Sequence, residues 1–193
     1  MAKVLTINGS PRKDGNIDGM LSAAEEELKR EGMEVERVFL ADADVKPCDA
    51  CDACYDDAWS CPIEDDAIVI LKKMVAADAI LIGSPVYFGG VTAQLKALMD
   101  RSVMPYQESE LRDKIGGALS CGGAAHGGQE ITINQIIVYF ITHDMQLANA
   151  GGGAYGAMGT ANDKGEIVKD EEGLESARAL GKRVAHLLKA KSA

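Results

Sequence analysis

Short apolar runs alternate along the chain with longer stretches in which apolar residues recur every three or four positions. Residues 3–7 (KVLTI) read as a buried strand, and residues 8–16 (NGSPRKDGN) are turn chemistry throughout. From 17 to 30, Ile17, Met20, Leu21, Ala24 and Leu28 keep helical spacing, and Gly32 stands where a helix stop belongs. Residues 34–40 (EVERVFL) alternate polar and apolar at first and predict an edge strand. The pattern then predicts helix over 65–76, strand over 79–82, helix over 91–103 and strand over 114–121. Helix is predicted over 132–145, although its many β-branched residues favour strand by themselves. A strand over 147–151 and an amphipathic helix over 171–191 complete the series.

Repeated strand–loop–helix units predict an α/β fold, a parallel sheet with helices on both faces. No solenoid-period repeat, linker or low-complexity run interrupts it, so one domain spanning 1–193 is expected. At 47% apolar the chain can bury a core and is no disordered tail. Thirty acids against twenty bases give a formal charge of −10, which argues against non-specific nucleic-acid binding. The same charge requires any anionic ligand to be held by local N–H groups. No stretch approaches the roughly 18 apolar residues of a membrane span. The start, MAKVLTINGSPRKDG, has no basic segment leading into an apolar one, so a cytoplasmic location is expected. Its reducing poise disfavours structural disulfides.

In a parallel sheet, ligands bind at the loops leaving the carboxyl ends of the strands. Here these are 8–16, 84–90 and 121–128. The first leads into a helix N-terminus, where unpaired N–H groups favour an anion, and Ser10, Arg12 and Asn16 add donors. It lacks the Gly-Lys-Ser/Thr ending of a P-loop and reads as a phosphate cradle, against the alternative of an ordinary strand-to-helix turn. The second, SPVYFGG, is apolar and aromatic, which suits a flat ring or else packing into a core or subunit interface. The third holds His126, a candidate ring contact or a solvated loop residue, and Cys121, read as a small buried residue.

Four of the five cysteines, Cys48, Cys51, Cys54 and Cys61, fall in an acidic loop at 46–64. An odd total with four clustered fits a site better than a disulfide framework. The candidates are a cluster, a metal, or free thiols.

Together GSPRKDGN, GSPVYFGGVTAQLKALMDR and GGAAHGGQE resemble the NADPH-dependent FMN reductase family. With the four cysteines added, the chain resembles its iron–sulfur flavoprotein branch. The resemblance implies a flavodoxin-like, doubly wound five-stranded parallel sheet of order 2-1-3-4-5, with the cysteine loop after strand 2. It implies that Ser10, Arg12, Asn16, Ile17 and Asp18 hold the FMN phosphate, and that Pro85, Val86, Tyr87, Phe88 and Gly89 border the isoalloxazine. Ile17 departs from the family's usual Thr, which leaves only its backbone N–H to contribute. Homodimers or homotetramers are implied as well.

Three cysteines at successive two-residue spacings, with a fourth six residues on, let one loop ligate a single [4Fe–4S] cluster. Zinc sites more often use two distant C-x2-C pairs, and redox-active thiols without a cluster remain an alternative. Asp49, Asp52, Asp56 and Asp57 would lower a cluster's potential, or simply keep the loop soluble. The expected activity passes electrons between an external carrier, a [4Fe–4S] cluster and FMN, then to a small acceptor; the resemblance implies a ferredoxin-like carrier and oxygen, peroxide or a quinone-like acceptor. The alternatives are an NAD(P)H-dependent FMN or quinone reductase without a cluster, and a non-catalytic electron carrier. No catalytic acid or base is expected, because the cofactors carry the chemistry.

Overall fold

The computed structural model describes residues 1–192. Strands β1 (Lys3–Asn8), β2 (Glu34–Phe39), β3 (Ala79–Pro85) and β4 (Ile115–Gly122) are joined by helices. They pair in parallel in the order β2-β1-β3-β4. The fifth position beside β4 is filled twice. Strand β5 (Gln146–Ala148) pairs with Ile115–Gly117, and β6 (Ala157–Thr160) pairs with Leu119–Gly122. The strand expected over 147–151 therefore stops at Ala148, loops out through 149–156, and resumes one rung further on. Gly151, Gly152 and Gly153, all with positive φ, make that excursion possible.

Helices α1 (Asn16–Arg30) and α7 (Glu171–Ser192) cover one face of the sheet. Ile17, Met20, Leu21 and Leu28 of α1 bury there with Leu180 and Val184 of α7. The other face is covered by α3 (Ala67–Ala76), α4 (Ala93–Asp100), α5 (Val103–Gln107) and α6 (Gln129–Thr142). It buries Ile70, Leu71, Leu95, Leu98, Met104, Ile136 and Phe140. Two adjacent glycines in β4 admit the layers closely. A Cβ on Gly116 would lie 2.7 Å from the Phe140 ring, and one on Gly117 would lie 3.3 Å from Leu180. This is the flavodoxin-like arrangement, with the fifth strand in two pieces.

Two helices depart most from the sequence pattern. The helix expected over 132–145 is α6, which begins at Gln129, directly after the left-handed Gly128. The helix expected over 91–103 ends at Asp100, and α5 follows after Arg101 and Ser102. A short helix, α2 (Ala53–Asp56), lies within the cysteine loop, where none was expected.

Register places the strand ends together. Asn8 lies opposite Gly83, Gly83 opposite Leu119, and Pro85 opposite Cys121. The loops after β1, β3, β4 and β6 thus emerge at one edge.

Candidate functional site

Those loops enclose a cleft of about 220 Å³. From the first loop it is lined by Ser10, Arg12, Gly15, Asn16 and Ile17, and from the second by Pro85, Val86 and Tyr87. Gly15 caps α1 in an extended conformation, and no side chain caps the helix. The leading N–H groups of α1 are therefore free for an anion. The loop is drawn tight against β3. Gly9 N–H donates to Gly83 O at 2.8 Å, and a Cβ at Gly9 would sit 2.9 Å from that oxygen. Ser10 Oγ accepts from Arg12 N–H at 3.1 Å, which folds the loop back over the helix start.

Asn16 is committed elsewhere. Its Nδ2 donates to Asp163 O at 3.0 Å and to Ala161 O at 3.4 Å, while its Oδ1 accepts from Ile167 N–H at 3.1 Å. It fastens the loop after β6 to the loop after β1. That second loop brings Asn162 and Lys164 to the cleft. Lys164 and Arg12, both exposed, are the cations lining it, against a chain of net charge −10. Nothing in the sequence reading singled out Lys164. The turn signature Asn162-Asp163-Lys164-Gly165 after a strand would have found it.

Asp18 does not line the cleft. Its carboxylate pairs with Arg37, which also binds Glu25 Oε1 at 2.6 Å, in a network on α1 and β2. Phe88 and Gly89 do not line it either. Tyr87 and Gly90 exchange both backbone hydrogen bonds, at 2.9 and 3.1 Å, and the two residues between them have φ of 50° and 77°. That is a tight two-residue hairpin turn, and it lifts the Phe88 ring fully into solvent. His126, exposed and 3.8 Å from Glu130, also stands outside the cleft. Cys121 lines it from β4. Burial pushes its thiol up to about 11, so it is neutral at pH 7.

A second cavity, of about 150 Å³, is lined by Cys48, Cys51, Cys54 and Cys61 together with Arg101 and Met104. Ala50 and Asp52 have φ of 57° and 62°, turning the backbone between the first three thiols. Such turns present N–H groups to anions, including iron–sulfur centres. Ala50 N–H already points at Cys48 Sγ, at 3.4 Å. Burial raises the pKa of Cys54; its own backbone N–H opposes the rise, while Cys61, Cys48 and Cys51 add to it. Among the described residues no three His, Cys, Asp or Glu side chains gather tightly enough to hold a single metal ion. The four cysteines instead line one cavity. Cys54, Cys61 and Trp59 pack against the core on the α3–α6 side. Trp59 Nε1 donates to Glu110 Oε2 at 3.1 Å, and Lys72 lies over its ring.

Residues 2–157 match the model of the NADPH-dependent FMN reductase family. An iron–sulfur flavoprotein of Methanocaldococcus jannaschii is 46% identical over 189 residues, covering 97% of both chains. The chain belongs to the NADPH-dependent FMN reductase family. Within it, the chain stands in the iron–sulfur flavoprotein branch. An iron–sulfur flavoprotein of Archaeoglobus fulgidus is 36% identical over 196 residues, with 97% of this chain and 96% of the relative covered. In architecture it is similar to a flavodoxin, WrbA-like protein from Agrobacterium tumefaciens, with a TM-score of 0.68 at 21% identity over 98% and 99% of the two chains.

An FMN reductase relative is a flavin-dependent oxidoreductase, and so is this protein. The cleft suits FMN on its own observations. It offers an uncapped helix N-terminus, glycine-tight loops and two cations to a phosphate, and Pro85, Val86 and Tyr87 to an apolar ring. The cysteine cavity offers a donor set of four thiols, the usual complement of an iron–sulfur cluster. No helix among the described residues is long and apolar enough to cross a membrane.

Proposed function

We propose that this protein is a cytoplasmic oxidoreductase passing electrons between a ferredoxin-like carrier, a [4Fe–4S] cluster and FMN, then to oxygen, peroxide or a quinone-like acceptor. The flavin when bound supplies one- and two-electron chemistry, and the cluster supplies one-electron chemistry. One domain, 1–193, holds both, with the cysteine loop at 46–64. The single observation supporting the cluster is that all four cysteines line one cavity.

The chain's own residues divide the work. The first-turn N–H groups of α1, including those of Asn16, Ile17 and Asp18, receive the FMN phosphate, with Ser10 and Arg12 beside them. Lys164 adds a second cation. The Asn16 side chain positions the loop that carries Lys164. Pro85, Val86 and Tyr87 border the ring, while the exposed Phe88 and the turn at Gly89 face outward to a second copy of the chain or to the electron partner. Cys48, Cys51, Cys54 and Cys61 ligate the cluster as thiolates. A homodimer or homotetramer is the assembly this reading expects.

The test is Cys51→Ala, prepared without oxygen. The variant should keep stoichiometric FMN, lose iron and sulfide, and lose reduction by a one-electron donor. Unchanged reduction by that donor, or wild-type protein that turns over NADPH without iron, would reject the route through the cysteines and leave a cluster-free reductase.

A further inference from the structure

The neck of the cysteine loop is closed by one buried arginine. Arg101 immediately follows α4, and its side chain is 1% exposed; that of its partner Asp65 is 0% exposed. Nη1 donates to Asp65 Oδ2 at 2.7 Å and to Lys46 O at 3.1 Å. Nη2 donates to Cys61 Sγ at 3.2 Å and also faces Ile63 O, at 3.4 Å, and Asp65 Oδ1, at 3.3 Å. Asp65 Oδ2 in turn accepts from Lys46 N–H at 2.9 Å. One guanidinium thus joins residue 46, where the loop leaves the body, to residues 61–65, where it returns.

A buried ion pair is a poor way to gain stability, since desolvating two charges offsets most of their attraction. This one also directs a donor at a sulfur. A neutral thiol is a weak acceptor, whereas a thiolate makes a charge-assisted bond. Arginine suits the task because it stays protonated and its planar fork can serve sulfur, carboxylate and carbonyls at once. Hydrogen bonds to ligand sulfurs and local charge are the means by which a protein sets a cluster's potential. Asp49, Asp52, Asp56 and Asp57 lie on the loop's exposed surface; with Asp65 balancing the guanidinium charge, it is the N–H aimed at Cys61 that acts against their field.

We propose that Arg101 is a positioning residue of the cysteine site: it fixes the Cys61 sulfur, ties the loop ends together, and raises the reduction potential of the group held there. The proposal rests on the reading of that group as a [4Fe–4S] cluster. One electron from a one-electron reductant adds one negative charge to the cluster with no bond broken. The N–H donated to Cys61 stabilises the reduced form more than the oxidised one.

Two variants test it in the full chain, reconstituted anaerobically with iron, sulfide and FMN. Arg101→Lys keeps the charge but loses the fork. The double variant Arg101→Met with Asp65→Asn removes both charges at similar volume, so that no lone carboxylate is left buried. The readouts are FMN content, iron per chain, iron loss to a chelator, and the midpoint potential from an EPR-monitored titration. Both variants should retain FMN and take up iron. Both should show a midpoint moved to lower potential and iron release faster by about tenfold, the usual scale for losing a partner of a metal ligand. Full iron with the wild-type midpoint and release rate would overturn the role of Arg101 and leave the cluster reading standing. Wild-type protein that binds FMN but no iron would overturn both. Loss of FMN together with iron in both variants would mark Arg101 as a fold residue and overturn the proposal too.

Discussion

His143, at the end of α6, is buried, with Nε2 2.9 Å from Ser102 Oγ and the edges of Tyr139 and Tyr106 against its ring. Burial lowers its pKa to about 4, only partly offset by Asp144. Below about pH 6.5 the unfolded chain takes up a proton that the folded chain refuses. Stability from this group is therefore complete above pH 6.5 and falls as the pH drops toward 4. The loss at pH 5 amounts to about 2 kcal/mol. Urea unfolding at pH 5 and pH 8 should show that loss, and His143→Gln should show much less of it. An equal loss in the variant would reject the assignment. The residue scale also shows where sequence reading stopped short. Ser10, Arg12 and Asn16 were legible as cleft residues from donors in a loop at a strand's carboxyl end before a helix, and Ile17 from the resemblance. The place of the Asp18 carboxylate was not legible, since its partner Arg37 lies on β2, and adjacency in sequence says nothing of that pairing. The outward turn of Phe88 was not legible, because a left-handed turn at a non-glycine residue is invisible in composition.

Helix α4 links the two cavities. Its N-cap, Thr92, accepts from Leu95 N–H at 3.3 Å and donates Oγ1–H to Gly9 O at 2.6 Å in the phosphate loop. Its C-terminal end carries Arg101 into the cysteine neck. Nine residues at helical rise put about 13 Å between those two anchors. Thr92→Val keeps the shape and removes both hydrogen bonds. It should cost about 1–2 kcal/mol in unfolding free energy and weaken FMN binding, measured by denaturation and flavin titration. Wild-type affinity in a destabilised variant would show that the cap serves the helix alone. At this scale the pattern of apolar positions placed every main helix, because each must bury one stripe on the sheet. It overran α4, since Leu98, Met99 and Met104 continue an apolar face across the break at Arg101–Ser102. It could not resolve the loop around the thiols, whose form is set by Arg101–Asp65 contacts from distant parts of the chain.

Across the whole molecule, one helix face is left uncovered among the described residues. Ile131, Val138 and Ile141 of α6 are 59%, 53% and 56% exposed, beside a groove that also reaches Gly90 and Met99. The exposed Tyr87 and Phe88 are also apolar. A second copy of the chain is the occupant expected from the resemblance. Val138→Lys combined with Ile141→Lys should shift sedimentation toward the monomer while the FMN cleft residues stay intact. An unchanged sedimentation coefficient would place the interface elsewhere. The sheet order and the carboxyl-edge location of the cleft were legible from the alternation and the resemblance, because a parallel sheet leaves few other places for ligand loops.

The excursion at 149–156 departs opposite Gly117 and returns opposite Leu119, so the ladder skips one step while the polypeptide wanders for eight residues. Nothing in the pairing on either side depends on how long that detour is. It is a port in the scaffold, where a lineage can trade short connections for long ones, and so change what shadows the rim, without disturbing a rung of the sheet.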